Sequence, residues 1–269
     1  MNKPARISVI TPSYNQAEFI EKTILSVLHQ ETDADVEHIV VDGASTDGTL
    51  DILNRYSGKV RWVSSHDRGQ SDAVNKGIIM ATGDIIGWLN SDDVYLPGAL
   101  QKVMRHFDFY PECQWLYGQC NIIDVEDREI RRWVTKYKNF RIRKFNDRSL
   151  LLENCISQPA VFFRKSAFLA AGPLSLDLPF AMDYDLWFRF ARQSWPGIIH
   201  DILASFRVHG NSKGNRNTRE QFMEQYDIHK RHDQRRLYLF LHRVFVYATI
   251  FGYRMMSTGK SIPLVSADH

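Results

Sequence analysis

Four clusters of acidic, amide and hydroxyl side chains follow four short apolar runs in the first hundred residues. They occupy residues 11–15, 42–48, 67–72 and 90–93. A single Asp after a strand is most often a helix cap, and Asp47 before Thr49 fits that pattern. Four such clusters at once favour a binding site rich in oxygen acceptors. A site of this kind binds phosphates through a divalent cation placed between protein and ligand.

The apolar runs alternate with stretches of helical spacing. Strand-like runs at 7–11, 36–41, 60–63 and 85–89 alternate with helical patterns at 16–30, 49–56, 71–80 and 97–107. This order predicts an α/β fold whose mostly parallel sheet is covered by helices on both faces. Ligands bind outside the carboxyl ends of such strands, so the four clusters are expected to meet at one edge.

The second half of the chain is less regular. Residues 115–154 indicate an antiparallel excursion, with strand-like pairs at 122–123 and 133–134. A strand is expected at 159–163, with helices at 166–171 and 184–192. The stretch 218–236 is polar and helical in pattern, and 237–253 is strongly apolar.

Composition narrows the classes of function. The chain has 269 residues, of which 44% are hydrophobic and 24% charged, enough for one large domain and a short tail. A net charge of +3 gives no field on the scale that nucleic acid requires. The three cysteines form no metal or disulfide pattern, which suits the cytoplasm. No window of about 20 apolar residues predicts a transmembrane helix.

Two common phosphate-binding motifs are missing after the first strand. Neither GxGxxG nor GxxxxGK[ST] occurs, which disfavours dinucleotide oxidoreductases and P-loop enzymes. Residues 11–16 hold no Gly, Arg or Lys, which disfavours a sugar-phosphate nucleotidyltransferase. Asp92 and Asp93 are the best metal candidates, because carboxylate oxygens suit Mg²⁺ and Mn²⁺. The alternatives are that Asp93 caps the helix near Pro97, or that the pair only faces solvent.

Seven segments in order resemble the family 2 inverting glycosyltransferases with the GT-A fold, of the bacterial polysaccharide type. They are TPSYNQAEFIEKTILSVLHQ, VDGASTDGT, GQSDAVNKG, WLNSDD, SQPAVFFRK, MDYDLWFRF and FRVHGNS. The resemblance implies a Rossmann-like GT-A domain over 1–215, with a nucleotide-sugar half at 1–110 and an acceptor half at 111–215. A helical tail follows over 216–269.

The resemblance also implies the reaction and its partners. A sugar would move from a nucleotide diphosphate, by default a UDP-sugar, to a hydroxyl of a glycan or lipid-linked saccharide. Mn²⁺ or Mg²⁺ would be the cofactor, held by Asp92 and His209. Asp183 would be the catalytic base, and Gln158 would line the acceptor site. The nucleotide sugar would be bound by Thr11, Pro12, Tyr14, Asp42, Asp72, Asn75, Asn90, Ser91 and Asp93.

Two residues depart from the family pattern. Asn90 stands where the family has the first Asp of its DxD triplet, and Met182 replaces an acidic neighbour of the base. These departures keep open a non-catalytic nucleotide-sugar-binding or interaction protein of the same fold. Asp183 would then be only a helix N-cap. Asp185 is expected to be a structural acid in the first helical turn, because residues two apart do not share a helix face.

The tail joins basic and apolar residues. Arg231, Arg235 and Arg236 precede the apolar run at 237–241, a combination typical of helices in a membrane interface. Packing on the catalytic domain and homodimerisation are the alternatives. The expected location is the cytoplasm, with peripheral attachment to the inner face of the plasma membrane as an option.

Overall fold

The computed structural model describes residues 6–143, 145–146, 149–210, 212 and 217–258. Its strands are β1 (Arg6–Ser13), β2 (Asp35–Asp42), β3 (Arg61–Ser64), β4 (Ile85–Trp88), β5 (Val94–Tyr95), β6 (Trp115–Ile123), β7 (Val161–Arg164) and β8 (Gly197–Arg207). Its helices are α1 (Ile20–Leu28), α2 (Thr49–Arg55), α3 (Gln70–Met80), α4 (Ala99–Phe109), α5 (Arg132–Arg141), α6 (Ser149–Leu152), α7 (Lys165–Ala171), α8 (Met182–Ala191), α9 (Thr218–His232) and α10 (Arg236–Thr258).

One sheet organises these elements, with strand order β3-β2-β1-β4-β7-β6-β8-β5. The section β3-β2-β1-β4 is entirely parallel and alternates with helices along the chain. Beyond it, β7 runs antiparallel to both β4 and β6, while β6 and β8 pair in parallel. The predicted α/β fold class is confirmed. The parallel section brings the polar clusters to one edge, because each follows the carboxyl end of its strand.

Close packing of α3 on the sheet depends on Gly77. A Cβ at this position would overlap Cγ2 of Ile10 and lie 3.3 Å from Cγ2 of Val41. We expect Gly77→Ala to destabilise the fold by about 1–3 kcal/mol, because overpacking outweighs the better helix propensity of Ala. Urea denaturation measures the change. Ile79→Ala, at a position of the same helix that is 74% exposed, is the matched control and should change stability little. Equal stabilities for the two variants would contradict this account of the packing.

One expectation for the second half was wrong, and one strand was not predicted. Trp133 and Val134 belong to helix α5 and not to a strand. Aromatic and β-branched side chains favour strands, but here Trp133, Tyr137 and Phe140 follow a helical spacing on an exposed face. The eleven-residue strand β8 was not predicted, because its middle residues are exposed and polar and hide its apolar ends.

The tail helices pack on the rest of the chain through one face. On α9, the His232 ring stacks on Phe188 of α8 with centroids 4.8 Å apart. On α10, Nδ1 of the buried His242 lies 3.2 Å from the carbonyl oxygen of Leu151 in α6. The predicted domain boundary between 215 and 216 lies outside the described residues. None of the helices described is long and apolar enough to span a bilayer.

Candidate active site

Asn90, directly beyond β4, connects three parts of the chain. Its Oδ1 accepts hydrogen bonds from Gln70 Nε2 (2.7 Å) and Trp88 Nε1 (3.0 Å). Its Nδ2 donates to Asp93 Oδ2 (3.2 Å) and Gln158 Oε1 (2.9 Å). These four bonds match the full capacity of a side-chain amide. The structure therefore gives Asn90 an organising part in the loop that carries Asp92.

These contacts explain why an amide occupies the first position of the triplet. In Asn90→Asp, a carboxylate would face the acceptor oxygens of Asp93 and Gln158, with no proton to donate to either. We expect the substitution to destabilise the protein by about 1–3 kcal/mol. We also expect no gain in Mn²⁺ affinity. Thermal unfolding and Mn²⁺ titration measure the two effects, and tighter metal binding at unchanged stability would contradict the expectation.

Asp92 and His209 meet across 117 residues of sequence. Oδ2 of Asp92 lies 3.1 Å from Nε2 of His209, and the two side chains are 18% and 6% exposed. The imidazole ring also lies 4.6 Å from the ring of Phe19, measured between centroids. The two residues predicted to hold the metal are thus brought together. Each keeps only a narrow exposed surface.

Buried Arg207 fixes the surroundings of this pair. Its Nε donates to the backbone oxygen of Asp92 (2.8 Å), and its backbone N–H donates to Asp93 Oδ1 (2.8 Å). Its other nitrogens reach the Asp124 carbonyl (2.7 Å) and the Asp127 carboxylate (2.6 Å). Arg207 was not singled out from the sequence. Its position in the sequence indicated a role at the site, since Arg207 lies two residues before His209 in the segment FRVHGNS.

The donor set fits a divalent cation that is shared with a ligand. Asp92 offers carboxylate oxygens and His209 an imidazole nitrogen. Across the residues that the structure describes, no group of three or more His, Cys, Asp or Glu side chains is assembled for a metal. Two protein ligands suffice where the phosphates of a substrate and water complete the shell. Neighbouring Asp93 is fully buried, and burial together with the charge of Asp92 raises its pKa well above the usual range.

The ends of β1 and β2 form a second part of the edge. Thr11 is buried, and its Oγ1 lies 2.9 Å from Nε2 of His38. Asp42 is also buried and accepts bonds from the Ser45 N–H (2.9 Å) and the Ser64 hydroxyl (2.7 Å). Pro12 follows Thr11 near the end of β1 and is also buried.

Gly43 lets the Asp67 carboxylate and the Tyr14 ring approach the backbone just after β2. A Cβ on Gly43 would lie 2.9 Å from Oδ2 of Asp67 and 3.4 Å from the ring of Tyr14. The Tyr14 side chain is 60% exposed, so an accessible aromatic ring lies beside this carboxylate. An aromatic ring beside a carboxylate can stack on a flat base and accept a hydrogen bond from it. Asp67 belongs to the third cluster but was not among the predicted binding residues.

Asp72 and Asn75 of α3 are engaged by the protein itself. Asp72 pairs with Arg68 and Lys76, each at 3.2 Å, and the hydrogen bond from Arg68 contributes most to lowering its pKa to about 2. Both ends of the Asn75 amide bond the backbone of Leu174 at 2.9 Å. These contacts hold the loop before α3 and the segment after α7 in place. Ser91 is buried beside Asp92, at the centre of the edge.

Asp183 lies in the first turn of α8. Its Oδ1 accepts the N–H of Tyr184 at 2.7 Å. Burial raises the pKa of Asp183 to about 6, although the charge of Lys138 and a hydrogen bond from Asn154 partly oppose the shift. A carboxyl group with such a pKa takes up a proton readily near neutral pH. The N-cap of α8 is Ala181, so Asp183 is not the capping residue.

Asp185 has a different environment on the same helix. Its carboxylate is 2.9 Å from Nε of Arg189 and 2.7 Å from Nε2 of His232. Burial opposes ionisation, but the hydrogen bond from His232 and the charge of Arg189 lower its pKa overall. The expected structural role of Asp185 agrees with these contacts. Gln158, the predicted acceptor residue, donates to the carbonyl oxygen of Trp88 at 2.5 Å and so links β4 to β7.

Comparison with known proteins agrees with this architecture. Residues 8–168 match the family model described as glycosyl transferase family 2. An uncharacterized glycosyltransferase of Rickettsia typhi is 29% identical over 211 residues, covering 76% of this chain and 64% of its own. A PGL/p-HBAD biosynthesis glycosyltransferase of Mycobacterium bovis is 30% identical over 213 residues, covering 76% and 77%. The chain thus spans less than two thirds of the Rickettsia relative.

Solved structures share the fold at low sequence identity. The mannosyltransferase PcManGT of Pyrobaculum calidifontis, in complex with GDP-Man and Mn²⁺, superposes with a TM-score of 0.67 at 17% identity, covering 97% of this chain and 78% of its own. TarS of S. aureus in complex with UDP-GlcNAc gives a TM-score of 0.62 at 17% identity, covering 83% and 65%. The chain belongs to glycosyl transferase family 2 and has the GT-A fold.

Proposed function

We propose that the protein is an inverting glycosyltransferase that moves a sugar from a nucleotide diphosphate to an acceptor hydroxyl. The proposal rests first on the contact between Asp92 Oδ2 and His209 Nε2, 3.1 Å apart at the edge where the parallel strands end. Two side chains that could hold a metal meet there although they lie 117 residues apart in the sequence. Two further features support the proposal: the exposed Tyr14 ring beside the Asp67 carboxylate near Gly43, and the carboxyl group of Asp183 with its raised pKa.

Asp92 and His209 would hold the cation and present it to the diphosphate. The bound cation supplies charge neutralisation for the departing diphosphate. The mixed donor set supports Mn²⁺ over Mg²⁺, because imidazole nitrogen suits transition metals while carboxylate oxygen suits both ions. Arg207 keeps the backbone of Asp92 in place from behind, so the carboxylate stays directed to the edge. PcManGT, whose solved complex contains GDP-Man and Mn²⁺, supports the same choice.

The nucleotide would bind beside Gly43, at the ends of β1 and β2. Tyr14 would stack on the base, with Asp67 as an added acceptor for its N–H groups. The backbone of Thr11 and Pro12 would border the base, and Asp42 would fix the turn around Gly43. Asp72, Asn75, Asn90, Ser91 and Asp93 would shape the pocket by holding its loops rather than by direct contact. UDP is the default nucleotide, and UDP-GlcNAc in TarS is a precedent for it.

Asp183 would take the proton of the acceptor hydroxyl as it attacks the anomeric carbon. The bond from the hydroxyl oxygen forms on the face opposite the departing phosphate, so one displacement inverts the configuration. General-base assistance of this kind contributes about 10²–10⁴ in rate. Gln158 would border the acceptor, which we propose to be a glycan or a lipid-linked saccharide.

A donor screen followed by product analysis tests the proposal. Isothermal titration with UDP-, GDP- and dTDP-sugars, each with and without Mn²⁺, should find one donor class whose binding depends on the metal. Slow hydrolysis of that α-linked donor should then release β-sugar first, as seen by proton NMR before mutarotation. Release of the α-anomer would contradict inversion. The absence of nucleotide binding under every condition would contradict the transferase proposal as a whole.

The second candidate is a non-catalytic nucleotide-sugar-binding protein. It is favoured by Asn90, whose amide is fully engaged within the protein, and by Met182 beside Asp183. The same screen separates the two functions. Metal-dependent binding with no turnover, even with excess enzyme and long incubation, would favour the binding protein.

A further inference from the structure

Helix α5 carries an aromatic face that the part of the chain described by the structure leaves exposed. Trp133, Tyr137 and Phe140 are 83%, 47% and 71% exposed, and their spacing of four and three residues places them on one side of the helix. The same segment is strongly basic. Residues 131–143 contain six Arg and Lys and no Asp or Glu. Exposed aromatic rings on a helix with this charge are unusual on a surface that meets only water.

Helix α10 carries a second apolar face. Its inner side, with His242, Val246 and Ile250, is buried. Its outer side is apolar over four turns and 40–66% exposed, at Leu237, Phe240, Leu241, Val244, Tyr247 and Phe251. The charged residues between 236 and 251 are Arg236 and Arg243, with no Asp or Glu among them.

Both helices are attached to the same short segment. Tyr137 and Arg141 of α5 bond the carboxylate of Glu153, at 2.9 Å and 2.5 Å. His242 of α10 contacts Leu151, two residues earlier in the chain. Asn154, the next residue after Glu153, bonds Asp183. Both helices are therefore held by the segment that also supports the candidate catalytic base.

We propose that the exposed faces of α5 and α10 form one docking surface for an anionic lipid bilayer. Aromatic and aliphatic side chains enter the boundary between headgroups and acyl chains, and the adjacent Arg and Lys side chains pair with lipid phosphates. Charge identifies the partner. A second copy of this chain would set Arg against Arg along these faces, without the acidic partners that helix pairing uses for specificity.

This docking has a consequence for the acceptor, which rests on the proposed function. A bilayer against α5 and α10 lies next to the segment that holds Asp183. A saccharide carried on a membrane lipid would reach the base from that side, while the nucleotide sugar enters from the aqueous side at β1 and β2. The surface thus selects the lipid-linked class among the acceptors proposed above.

Vesicle co-sedimentation with the full chain tests the surface. Phosphatidylcholine vesicles containing about one-third phosphatidylglycerol should bind the protein at low salt, and pure phosphatidylcholine should bind it at least about tenfold more weakly. Trp133→Ser/Phe140→Ser and Phe240→Ser/Val244→Ser should each lower binding about tenfold or more. Phe109→Ser is the matched control, because Phe109 is 76% exposed on α4, and it should bind like the wild type.

The outcomes separate docking from catalysis. Equal binding of the variants and the control, or no binding to anionic vesicles, would overturn the proposal. A concentration-dependent dimer in light scattering that the Phe240→Ser/Val244→Ser variant loses would assign the α10 face to a second copy and also overturn it. Nucleotide binding is measured in parallel on the same variants. Vesicle binding without nucleotide binding would leave this surface standing while the transferase proposal fails.

Discussion

Replacing Asp183 with Asn is expected to lower the rate of donor turnover by about 10²–10⁴-fold while nucleotide-sugar binding stays unchanged. The amide keeps the shape of the side chain but cannot accept a proton from the attacking hydroxyl. In the wild type, the base form is required, so kcat should fall as pH drops through the pKa of about 6. A pH profile of UDP release measures both effects. An unchanged rate in Asp183→Asn would remove Asp183 from the chemistry.

The same substitution should stabilise the fold. The pKa of Asp183 rises from its ordinary 3.8 to about 6, so the folded state disfavours the ionised form. The contribution of this carboxyl to stability is thus fully present below about pH 4 and is lost as pH rises through about 6. At pH 7 the cost is about 3 kcal/mol at most, which Asn avoids. Urea denaturation at pH 5 and pH 7.5 should show a stabilisation that grows with pH.

Asp185→Asn is the control for both measurements. Its carboxylate bonds Arg189 and His232, and its pKa is lowered, so the effect on stability has the opposite sign. We expect this variant to be less stable at neutral pH and to keep its activity at temperatures where it remains folded. Loss of activity in a folded Asp185→Asn variant would contradict the separation of roles between the two acids.

Asp92→Asn is the second substitution with a large expected effect. It removes the carboxylate that would share the cation with the diphosphate, so the gain in donor affinity on adding Mn²⁺ should fall by about 100-fold, or about 2.7 kcal/mol. His209→Gln should lose about tenfold, because a neutral ligand contributes less to a hard cation than a carboxylate. Isothermal titration with and without Mn²⁺ provides the measurement. Binding in the presence of a chelator should be alike in all three proteins, and an intact Mn²⁺ effect in Asp92→Asn would contradict the assignment.

Much of the fold follows from local patterns in the sequence. In the parallel section, β1, β2 and β4 are built on short apolar runs, whereas β3 is mostly exposed. A helix with its own apolar spacing separates each strand from the next along the chain. Their chain order is enough to place the polar clusters at one edge. The predicted meeting of Asp92 with His209 came from a different source, the resemblance to a family, since no local pattern joins residues 117 apart.

The features that were missed depend on contacts across the chain. Strand β8 has exposed polar residues in its middle and pairs with β6 through an irregular register. The sequence of β8 therefore lacks the regular alternation of apolar and polar residues that indicates a strand. The function of Asn90 is visible only when Gln70 and Gln158 come within hydrogen-bond distance. The raised pKa of Asp183 comes mainly from burial, which the amino-acid sequence alone does not reveal. Arg207 could have been singled out because it lies two residues before His209 in the segment FRVHGNS.

The bonds of Arg207 also determine which parts of this protein can be exchanged with those of a relative. The loop that carries Asp92 is complete only when residues from the end of β8 are present, and Asn90 is bridged to Gln158 in the same way. A chimaera that takes residues 1–110 from a relative would therefore replace one partner in each of these hydrogen bonds and keep the other partner from this chain. Donor preference should transfer between relatives only when 88–93, 158 and 207–209 move together, so the unit of exchange is a set of strand ends and not a contiguous half of the chain.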